Sequence, residues 1–375
     1  MKILHVIRSV NPSHGGPVEV IKQVSPALEE MGHEVCVASL DLPEDPWVSG
    51  FPLKIHPLGQ SRGGFGYSPK LIPWLQANAP GFDGIISHGL WQFNGMAVWR
   101  ALQRTGKPYF VFPHGMLDPW FRSAYPIKHL KKALYWQLAE RFVLSNARNV
   151  LFTCEEERDL ARKTFAPYDC REEIITLGTS RPTASPAELR EAFLEKFPEL
   201  RGKRILLFLG RLHDKKGCDL LLQAFAAVST GMHLVFAGPC EEESYLKRLR
   251  QLAAHGAVSF IGLIGGPIKW GALAAAEAFI LPSHQENFGM AVAESLAMGT
   301  PVLISNRVNI WREIQTDGAG LVEPDNLDGT RNLLTRWLSS DQGLMREAAL
   351  TCFTTRFDIR RTAENIVSLL QRNGQ

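Results

Sequence analysis

The chain has 375 residues, of which 45% are hydrophobic, so it can form two or more globular domains with sizeable cores. Its 41 basic and 38 acidic residues give a formal net charge of +3. That balance argues against a dedicated nucleic-acid-binding protein, and no nucleic-acid partner is expected. The six cysteines are scattered without C-x-x-C pairs, which argues against zinc or a disulfide framework and favours a reducing cytoplasm.

The N-terminal segment MKILHVIRSV is interrupted too soon by Asn11-Pro12 to be a signal peptide, and its pattern is typical of a β-strand. No apolar run approaches the roughly 20 residues that cross a bilayer. We therefore expect a protein that is soluble or attached peripherally to a membrane.

Short β-type runs alternate with helical patterns along the whole chain, which predicts α/β architecture with two doubly wound parallel sheets. Linker-like composition around Thr179 to Pro186 suggests a first domain over residues 1–180, a linker over 181–199 and a second domain over about 200–356. The predicted strands are 3–7, 34–40, 84–87, 109–112 and 149–153 in the first series, and 204–209, 233–237, 258–261, 278–281, 301–304 and 320–322 in the second.

Three candidate site positions follow strands of the first series. Gly15 and Gly16 precede a helix with Pro17 in its first turn, and their lack of side chains permits a ligand phosphate to approach the backbone. A simple turn is the alternative. His88 and His114 each follow a strand and precede a glycine, so each can donate to a substrate hydroxyl or be a satisfied structural histidine. We favour His114 as the functional one.

The segment 128–136 (KHLKKALYW) is basic and amphipathic, and Trp120 and Phe121 shortly precede it. Such a helix can lie on anionic lipid that carries an acceptor. An ordinary helix with a solvated basic face is the alternative.

The loop Gly210-Arg211-Leu212-His213-Asp214-Lys215-Lys216-Gly217 follows a strand of the second series and precedes a helix. The guanidinium of Arg211 and the ammonium of Lys216 can together neutralise a diphosphate without a metal ion. A solvated loop is the alternative. The sequence has neither a P-loop nor a G-x-G-x-x-G motif.

The strongest signal is the pair Glu286 and Glu294 in LPSHQENFGMAVAESLAMGTPV. A strand ends at Pro282-Ser283 and a helix begins near Gly289, which places Glu286 in a loop and Glu294 on a largely apolar, buried helix. A buried carboxylate needs a partner. The free N–H groups at the start of that helix favour a phosphate between the two carboxylates, which can accept hydrogen bonds from a sugar and a ribose.

Taken together, Gly15-Gly16, His114, the GRLHDKKG loop and the E-x7-E segment resemble the family 4 (group 1) retaining glycosyltransferases. The resemblance runs nearly end to end, and HGLWQ and PHGMLDPW resemble members that build bacterial exopolysaccharide or cell-surface glycans. It implies the GT-B architecture of two Rossmann-like domains facing a central cleft. It also implies that a last helix, about 357–375, returns to the first domain.

The resemblance also implies the roles of individual residues. Glu286 would contact the donor sugar, as nucleophile or only as a binding group, and Glu294 would hold the ribose. Arg211 and Lys216 would grip the diphosphate, and Gly16 would approach the β-phosphate. His114 would contact the sugar near its 6-position, and His88 is an acceptor-side candidate. The remaining donor-binding positions, several of them acting through backbone amides, are Gly15, Leu263, Ile264, Asn287, Phe288, Gly289, Met290 and Ala291.

The resulting hypothesis is a metal-independent, cofactor-free transfer of a hexose or hexuronate from a nucleoside-diphosphate sugar to a glycan or lipid-linked acceptor. UDP-glucose or a related UDP-sugar is the expected donor, with GDP-mannose open. The alternatives are a sugar-nucleotide epimerase or hydrolase of the same fold, and a non-catalytic sugar-nucleotide-binding subunit.

Overall fold

A computed structural model describes residues 1–59, 63–228, 231–253 and 256–373 of the chain. The chain forms two compact units, the first of residues 1–178 and 359–375 and the second of residues 179–358. No helix within these described ranges combines the length and hydrophobicity needed to cross a membrane.

The first unit is built on a seven-stranded sheet in the order β3-β2-β1-β4-β5-β6-β7, in which every pairing is parallel. The central strands are almost continuously apolar, as expected for a sheet that helices cover on both faces. The strands are β1 (Lys2–Ile7), β2 (Glu34–Ser39), β3 (Lys54–Pro57), β4 (Gly84–His88), β5 (Phe110–Phe112), β6 (Asn149–Phe152) and β7 (Glu172–Ile174).

The helices of this unit connect successive strands. A π-helical turn, Trp136–Glu140, joins α6 to α7 and buries Trp136 and Glu140 against the sheet. The helices are α1 (Gly16–Glu30), α2 (Pro46–Ser49), α3 (Leu71–Asn78), α4 (Phe93–Leu102), α5 (Trp120–Ala124), α6 (Pro126–Tyr135), α7 (Arg141–Ser145) and α8 (Glu155–Ala161).

The second unit contains a six-stranded parallel sheet in the order β10-β9-β8-β11-β12-β13. Because all strands run the same way, the loops after β8, β10 and β11 leave the sheet at one edge, where ligands of doubly wound sheets bind. The strands are β8 (Ile205–Leu209), β9 (His233–Ala237), β10 (Val258–Gly262), β11 (Ala276–Leu281), β12 (Val302–Ser305) and β13 (Gly320–Glu323).

The helices of the second unit begin with α9, which lies in the segment predicted to be a linker. A capping box between Ser185 and Glu188 starts α9, and Gly271 of α12 lets it pack closely on Leu189, so residues 186–196 belong to the folded unit. The helices are α9 (Pro186–Lys196), α10 (Cys218–Ala227), α11 (Glu243–Leu252), α12 (Gly266–Ala275), α13 (Met290–Ala297), α14 (Trp311–Thr316), α15 (Leu327–Ser339) and α16 (Gln342–Cys352).

The last helix, α17 (Ile359–Asn373), belongs to the first unit, in which it packs on α1. The Thr362 hydroxyl donates to the Thr176 carbonyl at 2.8 Å, and Arg372 pairs with Glu173 at 2.9 Å. These contacts attach α17 to the first unit, which comprises residues 1–178 and 359–375.

Every strand predicted from sequence is present within about two residues of its expected bounds. The strands β3 and β7 were missed. Both are short and lie at the edges of the first sheet, where residues such as Lys54, His56 and Glu172 remain partly exposed and weaken the apolar pattern.

Candidate functional site

The loops that follow β8 and β11 are in direct contact. The His284 amide donates to the Lys215 carbonyl at 2.8 Å. Gly217 adopts a left-handed conformation (φ 68°), and a β-carbon there would lie 2.3 Å from the Pro282 carbonyl oxygen. Only glycine allows this approach, so Gly217 brings the cationic loop against the glutamate segment.

Lys216 and Glu286, which the sequence analysis assigned to separate motifs, form an ion pair between their side chains. About one fifth of each side chain is exposed (19% and 20%), so the pair is accessible at the carboxyl edge of the sheet. A short strand-like bridge fixes the backbone of Glu286: its amide donates to the Arg307 carbonyl at 2.9 Å, and its carbonyl accepts from the Asn309 amide at 3.0 Å.

Burial, followed by the charges of Lys215 and Arg211, lowers the pKa of Lys216 to about 7. The Glu286 carboxylate acts in the opposite direction because it stabilises the ammonium form. With this partner in contact, we expect Lys216 to be protonated at neutral pH and a second anion to be attracted to it.

Arg211 lies on the same loop with 66% of its side chain exposed and one nitrogen 3.8 Å from Glu241. Such an exposed, loosely paired guanidinium costs little to redirect towards a ligand. The loop therefore carries two positive charges: the exposed guanidinium of Arg211 and the ammonium of Lys216, which Glu286 holds in place.

Helix α13 begins beside this pair. Gly289 is its N-cap with φ 76°, and the first hydrogen bonds to it come from Val292 (2.8 Å) and Ala293 (3.4 Å). In the part of the chain that the structure describes, the amides of Met290 and Ala291 therefore have no backbone acceptor. Phe288 is buried with its ring 5.7 Å from that of Phe357, so only its backbone can reach a ligand.

Glu294 lies on α13 as predicted and is buried, with only 8% of its side chain exposed. Its Oε1 accepts from the Nζ of Lys269, on α12, at 2.6 Å. This ion pair supplies the partner that the buried carboxylate requires. The pair also places the positive charge of Lys269 next to Glu294. The sequence analysis did not identify this charge.

The two predicted base-binding residues follow β10 and differ in exposure. Leu263 is 77% exposed, whereas Ile264 is 7% exposed and packs inward. A flat ligand can therefore stack on Leu263 but can meet Ile264 only through its backbone.

In the first unit, Gly15 and Gly16 lie where β1 leads into α1, as predicted. Gly15 has φ 71°, and no described atom lies within 4 Å of where a β-carbon would be at either glycine. This open space leaves the start of α1 accessible.

His88 and His114 belong to a chain of three histidines that begins at His5, of which His5 and His88 are buried and His114 is partly exposed. His5 Nδ1 lies 2.8 Å from His88 Nε2, and His88 Nδ1 lies 2.9 Å from His114 Nε2. Both ring nitrogens of His88 are therefore occupied, and its side chain is 1% exposed. The structure corrects the expectation that His88 faces an acceptor; instead it orients His114.

Burial lowers the pKa of His5 to about 4 and of His114 to about 3, and it also lowers the pKa of His88. All three rings are thus neutral at pH 7, with one N–H each. His5 Nε2 is buried without a partner among the described residues, and an orphaned acceptor is less costly there than an orphaned N–H. We therefore assign the protons to Nδ1 throughout, so that His114 presents Nδ1–H outward as a donor.

The backbone around His114 is held in a strained conformation. His114 has φ 53°, which is uncommon for a residue with a side chain. The next amide, of Gly115, donates to the buried carboxylate of Glu157 at 2.6 Å, and the same carboxylate accepts from the Thr153 amide at 2.7 Å. These bonds fix the ring of His114 at the carboxyl end of β5.

Two family descriptions cover most of the chain. Residues 15–177 match the model of the glycosyl transferase 4-like domain, and residues 190–349 match the model of glycosyl transferases group 1. The chain belongs to the group 1 glycosyltransferases. Both the family and the fold class predicted from the sequence are confirmed.

Relatives of this group 1 glycosyltransferase extend over nearly its whole length. It is 28% identical to the D-rhamnosyltransferase WbpZ of Pseudomonas aeruginosa, over 90% of this chain and 86% of the relative. It is 25% identical to the GDP-mannose:cellobiosyl-diphosphopolyprenol alpha-mannosyltransferase of Xanthomonas campestris, over 97% of this chain and 91% of the relative.

Solved structures identify the GT-B fold of this glycosyltransferase. HepE of Anabaena in complex with UDP has a TM-score of 0.78 at 16% identity, over 99% of this chain and 100% of that one. Sucrose-phosphate synthase of Thermosynechococcus elongatus has a TM-score of 0.74 at 19% identity, over 99% of both chains.

Two further residues of the glycosyltransferase were missed from the sequence. Lys269 lies in the first turn of α12, shortly after Gly265-Gly266-Pro267. The available signal was that the expected buried Glu294 needs a cationic partner. His5 lies inside the apolar strand β1. Its signal in the sequence was a single histidine among residues that are otherwise apolar and buried.

Proposed function

We propose that this glycosyltransferase transfers a hexose or hexuronate from a nucleoside-diphosphate sugar to an acceptor hydroxyl with retention of the anomeric configuration. The observation that carries the proposal is the contact between Lys216 and Glu286 beside the start of α13. A cation that can bind the diphosphate is in contact with a carboxylate that can bind the sugar. Both lie next to the amides of Met290 and Ala291, which have no backbone acceptor among the described residues.

Departure of the diphosphate creates negative charge on its oxygens while the sugar acquires oxocarbenium character. Lys216, Arg211 and the amides of Met290 and Ala291 are the groups that would stabilise this charge. Preorganised donors of this kind contribute most when they face the position where charge develops. We propose that these groups make a metal ion and any other cofactor unnecessary.

When the diphosphate takes over the ammonium of Lys216, the Glu286 carboxylate becomes available to the hydroxyls of the donor sugar. Glu294, held by Lys269, is proposed to accept from the ribose hydroxyls. His114 is proposed to donate from Nδ1–H to the sugar near its 6-position, and Gly16 to allow close approach of the β-phosphate. The oxygen of the departing phosphate would accept the proton of the acceptor hydroxyl on the same face of the sugar.

The proposed donor is a UDP-hexose, UDP-glucose first, as the family resemblance implies. The HepE structure determined with UDP supports a nucleotide-sugar site in this fold. GDP-mannose is the second candidate because the Xanthomonas relative is named as a GDP-mannose-dependent mannosyltransferase. Leu263, exposed after β10, is where we propose that either base stacks.

The proposed acceptor is a glycan carried on a lipid, in the synthesis of bacterial exopolysaccharide or surface glycan. The name of the Xanthomonas relative includes a diphosphopolyprenol, which supports an acceptor of this class. We place the reaction in the cytoplasm at the inner face of the membrane.

Helix α6 is the proposed membrane contact. Ile127, Leu130, Leu134 and Leu138 recur on one side of α6 and the turn after it, and each is 64–74% exposed. The basic residues Lys128 and Lys131 flank this stripe, which suits a bilayer containing anionic lipid. Flotation with phosphatidylglycerol vesicles should show binding that salt weakens and that Leu130→Ser with Leu134→Ser removes; equal binding by that double variant would refute the contact.

Product analysis tests the proposed reaction. Purified protein is incubated with UDP-glucose or GDP-mannose and a lipid-linked oligosaccharide extract, with and without EDTA. The proposal predicts release of nucleoside diphosphate, one α-linked hexose on the acceptor and no effect of EDTA. Interconversion of the sugar without release of diphosphate would establish an epimerase. Release of diphosphate without glycosylation of the acceptor would establish a hydrolase. Binding of the nucleotide sugar without turnover would establish a non-catalytic subunit.

A further inference from the structure

A second concave site lies under the inner side of α6, in the first unit. We call it the α6 pocket and define it by the cations Lys128 and Lys132, the imidazole of His129 and the aromatic rings of Phe121, Tyr125 and Phe165. Its cavity volume is about 50 Å³, and about 350 Å³ when the adjoining space open to solvent is included, so its enclosed part has room for little more than a phosphate group. None of the donor-site residues lines it.

The lysines of the α6 pocket are held by rings rather than by acids. Lys132 Nζ lies 5.0 Å from the ring centre of Trp91 and 5.3 Å from that of Phe121, and Lys128 Nζ lies 4.7 Å from that of Tyr125. Within the described residues, neither ammonium group forms a salt bridge. Lys128 is exposed, but Lys132 is partly buried, and a partly buried cation without a counter-ion is costly. A bound anion would relieve that cost.

Burial, and then the charge of Lys128, lowers the pKa of Lys132, while Glu140 acts against this shift. The direction agrees with an ammonium group that has lost solvent without gaining a full partner. A phosphate placed between Lys128 and Lys132 would supply that partner.

The remaining walls of the α6 pocket suit a carbohydrate. His129 stacks on Phe165 with ring centres 4.8 Å apart, and the C–H groups of a sugar pack favourably on the faces of such rings. Asp118 is 7% exposed and accepts from the Trp120 amide at 2.8 Å. Its carboxylate can also accept from sugar hydroxyls, and the cations outnumber it.

We propose that the α6 pocket binds the phosphate-bearing end of the acceptor, a glycosyl phosphate or diphosphate joined to a lipid chain. This inference rests on the proposed function. The same helix carries the exposed apolar stripe and the two lysines of the pocket, and a helix is only about 10 Å across. A lipid held in a bilayer at the stripe can therefore reach the pocket with its phosphate.

The test uses geranyl diphosphate as a short lipid diphosphate. Calorimetric titration is made into the whole protein saturated with UDP, so that the donor site is blocked. We expect binding that Lys132→Met or Lys128→Met weakens at least tenfold. Lys70→Met, which removes an exposed positive charge elsewhere in the same unit, should leave it unchanged, and melting temperatures check that all variants are folded.

Comparison ligands separate the sources of phosphate. Tighter binding of geranyl diphosphate than of inorganic diphosphate supports a lipid-linked ligand, and equal binding overturns it in favour of a small soluble phosphate. Phosphatidylglycerol vesicles are also tested as competitors of geranyl diphosphate. If they occupy the pocket as strongly as geranyl diphosphate does, the pocket binds a phospholipid headgroup and the inference is overturned. Absence of binding of both UDP and GDP by the unaltered protein would refute the proposed function, whereas nucleotide binding without geranyl diphosphate binding refutes only the pocket.

Discussion

Lys216 and Glu286 are 70 residues apart in the chain, yet their side chains form an ion pair at the carboxyl edge of the second sheet. The pairing holds both side chains in place before any ligand arrives. A diphosphate can replace the carboxylate as the partner of Lys216, and this exchange releases Glu286 for the sugar. The pair is thus the point at which donor binding and sugar positioning are coupled.

Removal of the charge on Lys216 should impair the chemical step more than binding of the base. We expect Lys216→Met to lower kcat/KM about a hundredfold or more, as for loss of one preorganised donor to a developing anion. Steady-state release of nucleoside diphosphate measures this. Lys247→Met removes an exposed positive charge from α11 in the same unit and should change kcat/KM less than twofold, roughly the limit for a screened surface charge. Equal losses would contradict a specific role for Lys216.

The close approach at Gly217 predicts a large effect of one methyl group. Gly217→Ala combines left-handed strain with a backbone contact of 2.3 Å, so we expect a loss of about 2–4 kcal/mol in unfolding free energy and lower donor affinity. Gly318 has nearly the same φ (65°) but open space around it, and Gly318→Ala should cost only about 1 kcal/mol. Denaturant titration compares the two; similar costs would show that the loops can separate freely.

The histidine chain predicts that His88 acts on turnover through the orientation of His114. His88→Gln should lower kcat about tenfold, the effect of about 1.4 kcal/mol, and leave the affinity for UDP unchanged. Nitrogen NMR of the unaltered protein should show His114 protonated on Nδ1. His233→Gln, at the start of β9, serves as control. An unchanged kcat in His88→Gln, or a proton on His114 Nε2, would contradict the assignment.

Glu140 predicts a pH-dependent loss of stability. Burial raises its pKa to about 8 against an ordinary value of 4.5, although the Trp91 amide and then Lys132 act in the opposite direction. Between these values the folded state binds more protons than the unfolded state, so stability falls as pH rises from 4.5 to 8. Glu140→Gln should therefore stabilise the protein increasingly from pH 5 to pH 9, by about 2 kcal/mol or more of unfolding free energy at the upper end. Melting temperatures of the variant and the unaltered protein at each pH measure this. Exposed Glu44→Gln should show no such trend.

The pattern of apolar runs was sufficient to predict both sheets, because buried parallel strands are nearly continuous in hydrophobicity. It failed for β3, β7 and α9, whose exposed residues carry little of that signal. The apolar pattern around Glu294 indicated that this carboxylate needs a partner but could not identify Lys269, since that pairing depends on how α12 and α13 pack. The role of His88 was also mistaken, because only the fold reveals that His5 occupies its second nitrogen.

The central claim is that Lys216 and the start of α13 bind a pyrophosphate. Calorimetric titration of UDP against UMP, and of GDP against GMP, into the unaltered protein and into Lys216→Met tests it most directly. The account predicts that the unaltered protein binds one of the diphosphates at least tenfold more tightly than its monophosphate, and that this preference disappears in Lys216→Met. An undiminished preference in the variant would contradict the account.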